Sequence, residues 1–447
     1  MRATLIIAFQ NLLQARRRTL LLGLAIVLVT MLLIVLGAVS HGFQETLQRN
    51  ATALVSGHVN VGGWYKNKET DAWPMVANVD EIERIARENT PGLDFMVARD
   101  RAWAKAISRD ESFYVSPSGI DIAAEQRLRD VLHLVPESAY KDGGRDAVLG
   151  DLDRLAEPHT ALIFESQARR LGVTVGDYVT LTAPTGSGRT NSIDVTVVAV
   201  ARDAGFLSQW NFFVPSADIH ELYQTDDDTT SVVMLYLDDP SRAEEVMGHL
   251  REVFAANGYT LMDHEPAPFF FKFERVAGED WTGQKLDITV WTDEVVYISW
   301  VTTMLDGITA VLIGILMAII AIGIMNAMLM SVRKRTAEIG TARAIGMTRS
   351  GVLLMFVTEA LLLGFFATVL GAALGAGLAA GLDAAQVPLT NTFLSSILLS
   401  DTLHVSVTTE QLLEAVVLFT LITGLSAISP AIRAARLQPV NAIQHTS

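Results

Sequence analysis

Long uncharged apolar runs, separated by polar stretches, organise this chain. Thr19 to Val39 and Gly307 to Val332 contain no charged residue, and Ser350 to Leu382 contains only Glu359. A fourth run, Ala415 to Ile432, ends at Pro430 and the basic pair Arg433 and Arg436. A bilayer core of about 30 Å is crossed by roughly 20 apolar helical residues. The runs therefore predict four transmembrane helices, at 19–39, 298–332, 350–382 and 412–432, the last lengthened by Leu412 and Leu413. The first run is too long for a signal peptide and lacks a small-residue cleavage site, so it reads as a retained span. Helical character before the second span begins near Val296, and the excess over the bilayer predicts a projecting stalk at 280–300. Ahead of the first span, Leu5, Ile6, Phe9, Leu12 and Leu13 recur at helical spacing before Arg16 to Arg18. That pattern predicts an amphipathic interfacial helix over 1–18.

Between the first two spans the pattern changes to short β-rich runs and polar helices. Ala53 to Val61 reads as a strand, Val79 to Asn89 as a helix, and Phe95 to Ile107 and Ser112 to Ile120 as strands. The order returns with a strand at Val232 to Leu237, a helix at Ser241 to Ala256 and a short strand at Tyr259 to Met262. Two strand–helix–strand units flanking an insertion predict one split α/β domain over 40–297. Its porter-like halves fall at 50–120 and 225–265, with a β-rich subdomain inserted at 121–223. Within the insertion, Tyr178 to Ala183 and Ile193 to Ala201 form a hairpin around the polar loop 184–192. The fold class is thus an α-helical membrane protein with four transmembrane helices and a large α/β extracytoplasmic domain.

Charge sets the orientation. Arg2 and Arg16 to Arg18 precede the first span, and Arg333, Lys334, Arg335, Arg343 and Arg349 lie between the second and third. Arg433 and Arg436 follow the fourth, whereas the connection 383–411 carries acidic residues and no Lys or Arg. Basic residues near span ends stay in the cytoplasm. This places both termini, the segment 333–349 and the tail 433–447 inside, and the large domain outside. The formal net charge of −15 then concentrates on the outer portion, which excludes nucleic acid as its partner. There is no cysteine, so disulfides and thiolate chemistry are excluded.

Catalytic and cofactor motifs fail on inspection. Ala183 to Thr190, APTGSGRT, is close to a phosphate-binding loop but has Arg189 where lysine is required and joins two strands. The nine histidines show no HExxH or similar ligand spacing, and Pro266 follows His264 and Glu265 too closely for a ligand-bearing helix. No Gly-x-Ser-x-Gly elbow occurs. The chain is therefore expected to bind no metal or cofactor and to be no enzyme. Glu359 inside the third span requires a partner or a position near the inner surface. Gly364, Gly371, Gly375, Gly377 and Gly381 stand at spacings that favour close helix packing.

The segment between the second and third spans carries most information. Asn326 to Gly346, NAMLMSVRKRTAEIGTARAIG, continues the second span as a helix and is expected to break at Gly340 and Gly346. Arg335 and Glu338 are three apart and can pair. Ile339 and Ile345 leave apolar side chains on a short segment otherwise facing water, a form suited to docking in a partner's groove. Here the chain resembles the permeases of the MacB/FtsX/LolE superfamily of ABC transporters. The resemblance rests on Glu338-Ile339-Gly340, Arg343-Ala344-Ile345-Gly346, Phe356 to Ala360 and the ending Pro430-Ala431, Arg433 to Arg436 and Pro439-Val440. Leu162 to Val179 resembles the outer domain of these families, and Gly57-His58-Val59 with Trp64-Tyr65 is similar to LolE-type permeases.

The resemblance implies a bacterial inner-membrane subunit that dimerises with a second copy or a related permease. It implies that Arg333, Arg335, Glu338, Ile339, Gly340, Arg343, Ala344, Ile345 and Gly346 dock a separate ABC ATPase subunit, which binds ATP and Mg. Closure of the ATPase would reach the outer domain by mechanotransmission through the second span and stalk. Membrane lipid and a periplasmic substrate or accessory protein are the further partners implied. Extraction of lipoprotein or another amphiphile is the first expected function. MacB-like drug or peptide efflux, or FtsX-like signalling to a cell-wall hydrolase, are the alternatives.

Overall fold

The computed structural model describes residues 10, 16–68, 72–186, 188–388 and 402–437. Most of the expected interfacial helix over 1–18, residues 389–401 of the connection 383–411 and the end of the tail 433–447 lie outside the described residues. Among those described, four helices are long and apolar enough to cross a membrane. We label the longer helices α1 (Arg16–Leu54), α2 (Val79–Asn89), α3 (Ala243–Ala256), α4 (Val296–Lys334), α5 (Thr336–Ala344), α6 (Arg349–Ala384) and α7 (Thr409–Ala435). The strands are β1 (Val59–Lys66), β2 (Val76–Ala77), β3 (Leu93–Arg101), β4 (Ala104–Ile107), β5 (Ser112–Ile120), β6 (Thr160–Phe164), β7 (Tyr178–Pro184), β8 (Thr190–Ala201), β9 (Asn211–Pro215), β10 (Thr229–Thr230), β11 (Val232–Leu237) and β12 (Gly283–Val290).

The chain divides into two compact units. The membrane unit comprises α1 as far as Glu45, α4 from Val301, and α5 to α7. At 1.5 Å per residue, the 39 residues of α1 and of α4 give helices about 58 Å long, well beyond the hydrocarbon thickness. The helices therefore overrun the expected spans. The apolar interior of this unit contains Ile26 and Val27 of α1, Ile324 and Met328 of α4, Phe356 and Ala360 of α6, and Ala427 and Ala431 of α7. Thr408 caps α7 through a reciprocal bond with Gln411, and Thr348 caps α6 by accepting from the Gly351 N–H at 3.1 Å.

The large unit is built on one ten-stranded sheet in the order β12-β1-β11-β3-β5-β4-β7-β8-β6-β9. Within its first four strands each neighbouring pair is antiparallel. The unit β1-α2-β3 straddles β11, and β11-α3-β12 straddles β1, so the two strand–helix–strand units interleave. Ile82, Ile85 and Ala86 of α2 and Val246, Leu250 and Phe254 of α3 close the core against Val59, Val61, Leu235 and Ile288. The remaining six strands close on themselves, because β9 also pairs with β5 in parallel. Val115, Ile163, Leu181, Val195, Val197 and Phe212 belong to the apolar core of this ring.

Several sequence expectations shift here. The strand expected over Ala53 to Val61 is the end of α1 followed by β1, because the helix persists to Leu54. β4 and β5, assigned to the porter-like half 50–120, belong to the ring. Only Asp100 and Arg101 of β3 continue the pairing onto β5, and the chain then turns at Ala102 and Trp103. Tyr259 to Met262 makes a single bridge, Leu261 to Leu286, and the true edge strand is β12. The first half of the expected stalk 280–300 is therefore sheet. The loop in APTGSGRT joins β7 and β8 as a hairpin, with Gly188 at φ +78°.

Buried ion pairs lie inside the large unit. Arg99 and Glu125, each 1% exposed, form a two-pronged pair at 2.5 and 2.6 Å. Lys272 holds Asp287 at 2.7 Å under the segment Phe269–Gly278, and burial pushes the Asp287 carboxyl up from its ordinary range.

Candidate functional site

The break between α4 and α5 falls at Arg335, where φ is −106° and ψ is 17°. This corrects the expectation of a break at Gly340, which lies buried in the middle of α5. Gly346 does end the helix, at φ +111°, with its N–H donating to Arg343 O and that of Met347 to Ala342 O. A left-handed residue after the last helical turn is where glycine is least strained.

α5 carries two distinct stripes. Arg335, Ile339 and Arg343, spaced four apart, face the membrane unit. Arg335 donates from Nη1 to Glu359 of α6 at 3.1 Å and from Nε to Glu338 at 3.0 Å. Its guanidinium also lies over the Phe356 ring, 5.6 Å from the centroid. Ile339 is 3% exposed and packs in the apolar interior with residues such as Val352 and Phe356. Arg343 Nη1 donates to the carbonyls of Ala435 (3.3 Å) and Leu437, closing the end of α7. The other stripe is Glu338, Thr341 and Ile345, at i, i+3 and i+7, which share one helix face. Glu338 is 70% exposed and Ile345 is 83% exposed. Thr341, Ala344, Arg333 and Lys334 are exposed as well.

The expected docking residues are thus divided. Glu338, Ala344 and Ile345 are available to a partner, whereas Ile339 and Gly340 are not, and Arg335 and Arg343 act as anchors. Thr341 belongs to the exposed face and was missed, although its spacing from Glu338 and Ile345 was the available signal. Glu359 is fully buried, and Arg335 gives it a cationic partner from another helix.

The glycines also divide. A Cβ at Gly364 would meet Thr423 of α7 at 2.8 Å, at Gly371 the Val27 carbonyl of α1 at 2.7 Å, and at Gly375 Ile34 at 2.8 Å. Gly377 and Gly381 meet nothing within reach of a Cβ among the described residues, so they form no close-packed seam there. A further link was not foreseen: Ser40 and Gln44 of α1 donate to the Asp306 carboxylate of α4, the closest contact being 2.8 Å. Among the described residues no group of three or more His, Asp or Glu is placed to hold a metal ion.

Comparison with known proteins gives two family matches. A family described as MacB-like periplasmic core domain matches residues 19–253, more than half of the chain. One described as FtsX-like permease C-terminal matches residues 310–439. Among curated proteins, the macrolide export ATP-binding/permease protein MacB of Bordetella avium is 39% identical over 70 residues, 16% of this chain and 11% of that protein. The lipoprotein-releasing system transmembrane protein LolC of Xylella fastidiosa is 25% identical over 163 residues, 35% of this chain and 40% of that protein. The chain therefore spans less than half the length of either relative. Among solved structures, the periplasmic region of MacB from Actinobacillus actinomycetemcomitans matches at 12% identity with a TM-score of 0.30. That match covers 57% of this chain and 98% of the solved one.

Proposed function

We infer what this chain does from the family it belongs to, the ABC transporter permeases with a MacB-like periplasmic core domain and an FtsX-like permease C-terminal region. It is the membrane subunit of a transporter whose ATP and Mg are bound by a separate ATPase subunit. The observation that carries this reading is the division of α5, anchored on one stripe and presenting Glu338, Thr341 and Ile345 on the other. A short helix with one large apolar side chain flanked by a carboxylate fits an apolar groove with a basic rim. The partner's groove takes Ile345, and its basic side chain faces Glu338.

Orientation follows from charge. Arg333, Lys334, Arg343, Arg349, Arg433 and Arg436 lie at or beside the α5 ends of the spans, which favours a cytoplasmic position for that end. The large unit is then periplasmic, both termini are cytoplasmic, and the chain resides in a bacterial inner membrane. It works with a second copy or a related permease, and α1 and α4 carry movement to the large unit. The proposed substrate is a lipoprotein or another amphiphile drawn from the membrane, a reading supported by the similarity to a lipoprotein-releasing protein. Drug or peptide efflux is the second reading, favoured by the similarity to a macrolide export protein.

The test is affinity purification of the tagged chain from native membranes with mass spectrometry of its companions. An ABC ATPase in stoichiometric amount, lost with Glu338→Lys or Ile345→Asp, is the expected result. Recovery of the intact chain without any ATPase would refute the assignment. Because the chain has no cysteine, Lys334→Cys alone reports orientation, and it should react with a membrane-impermeant maleimide only after the cells are opened.

A further inference from the structure

One guanidinium serves two carboxylates of very different standing. Arg335 sits at the break between α4 and α5, itself about one-fifth exposed. Its Nε donates to Glu338, which stands on the exposed stripe, and its Nη1 donates to Glu359, which is fully buried on α6. The exposed pair is screened by solvent and is worth little. The buried pair is held strongly, because a charge-assisted hydrogen bond in a low-dielectric interior, away from competing water, costs much to separate. Arg335 is therefore fixed to α6 and only lightly tethered to the docking face. A competing cation can remove Glu338 at small cost, and it cannot remove Glu359.

We propose that Arg335 is a positioning residue that reports occupancy of the α5 docking face to α6, by passing from a guanidinium shared between Glu338 and Glu359 to one held by Glu359 alone. The inference rests on the docking reading above. A basic side chain of the partner takes Glu338, Nε is released, and the guanidinium settles fully on Glu359 over the Phe356 ring. The break at Arg335 is then drawn onto α6, while Arg343 keeps the other end of α5 on the last carbonyls of α7. Lysine cannot replace this function. Its single compact ammonium lacks the fork that reaches two carboxylates in fixed geometry, although it can still neutralise Glu359.

The test uses the full chain in lipid nanodiscs, alone and with its co-purified ATPase, and reads hydrogen exchange across residues 331–349 together with ATP hydrolysis. Docking on the wild-type chain is expected to slow exchange at the break, residues 332–336, by about tenfold, the scale of one charge-assisted hydrogen bond. Glu338→Ala alone, without the ATPase, should already exchange at the docked wild-type rate there. Arg335→Lys should still bind the ATPase and lose the docking-dependent slowing, with ATP hydrolysis no longer responding to the permease. Exchange in free Glu338→Ala equal to that of the free wild type, or full coupling in Arg335→Lys, would overturn the proposal. Failure of the docking reading is distinct from either, because the wild-type chain would then bring down no ATPase.

Discussion

Ile339 and Ile345 stand six residues apart on one nine-residue helix and its C-cap, and replacing each by alanine should have opposite consequences. Ile339 is 3% exposed and packed in the interior of the membrane unit. Removing three carbons there leaves a cavity, and large-to-alanine changes at such sites cost about 2–5 kcal/mol. Ile345 is 83% exposed, so its truncation should change the stability of the isolated chain by no more than about 0.5 kcal/mol. On docking, however, the same three carbons would leave water. At about 0.8 kcal/mol each, full burial contributes about 2.4 kcal/mol, or roughly 50-fold in affinity. Thermal unfolding in detergent measures the first quantity, and titration of immobilised permease with the purified ATPase measures the second. Ile339→Ala should melt early, whereas Ile345→Ala should melt like the wild type and bind roughly 50-fold more weakly. An Ile345→Ala chain that binds normally, or an Ile339→Ala chain that melts normally, would refute the assignment of the two faces.

Other expectations follow from packing and charge. In α6, Gly371→Ala should cost about 1–3 kcal/mol, because its Cβ would lie 2.7 Å from a backbone oxygen of α1. Gly377→Ala, facing open space, should raise helix stability by up to about 1 kcal/mol, and unfolding in SDS compares the two. In the large unit, Arg99→Met leaves Glu125 buried without its partner and should cost about 3–5 kcal/mol. The double change Arg99→Met with Glu125→Leu should recover most of that loss in melts of the full chain. His58 is pulled down to about 4 by burial and then by the nearby Arg127 charge, and its Nδ1 accepts from the Leu237 N–H at 2.9 Å. The unfolded chain binds this proton near pH 6.5 and the folded one only near pH 4, so stability is full above 6.5 and falls as pH drops between those values. The loss amounts to about 3 kcal/mol, and His58→Asn should flatten that limb of the melting-versus-pH curve.

What the sequence by itself determined is what local patterns can specify. Uninterrupted apolar length and the distribution of arginines and lysines identify the four spans, because crossing a membrane depends on residues adjacent in the chain. Strand–helix–strand order identifies the split α/β domain, and α2 and β11 fall on the expected residues. Glu338 to Gly346 stands out because the motif is contiguous. The tertiary structure decided matters that depend on partners far away in the chain. β12 pairs with β1, more than two hundred residues distant, and its alternation alone cannot distinguish an edge strand from the base of a stalk. The ring closes only because β9 meets β5. Gly371 packs and Gly377 does not, since a small residue matters only where another backbone approaches. Ile339 points inward and Ile345 outward for the same reason: a nine-residue helix has apolar positions on both sides, and α6 and α7 cover one of them. The chain's own pattern supplies the short helix α5, and the neighbours packed against it decide which of its faces stays exposed.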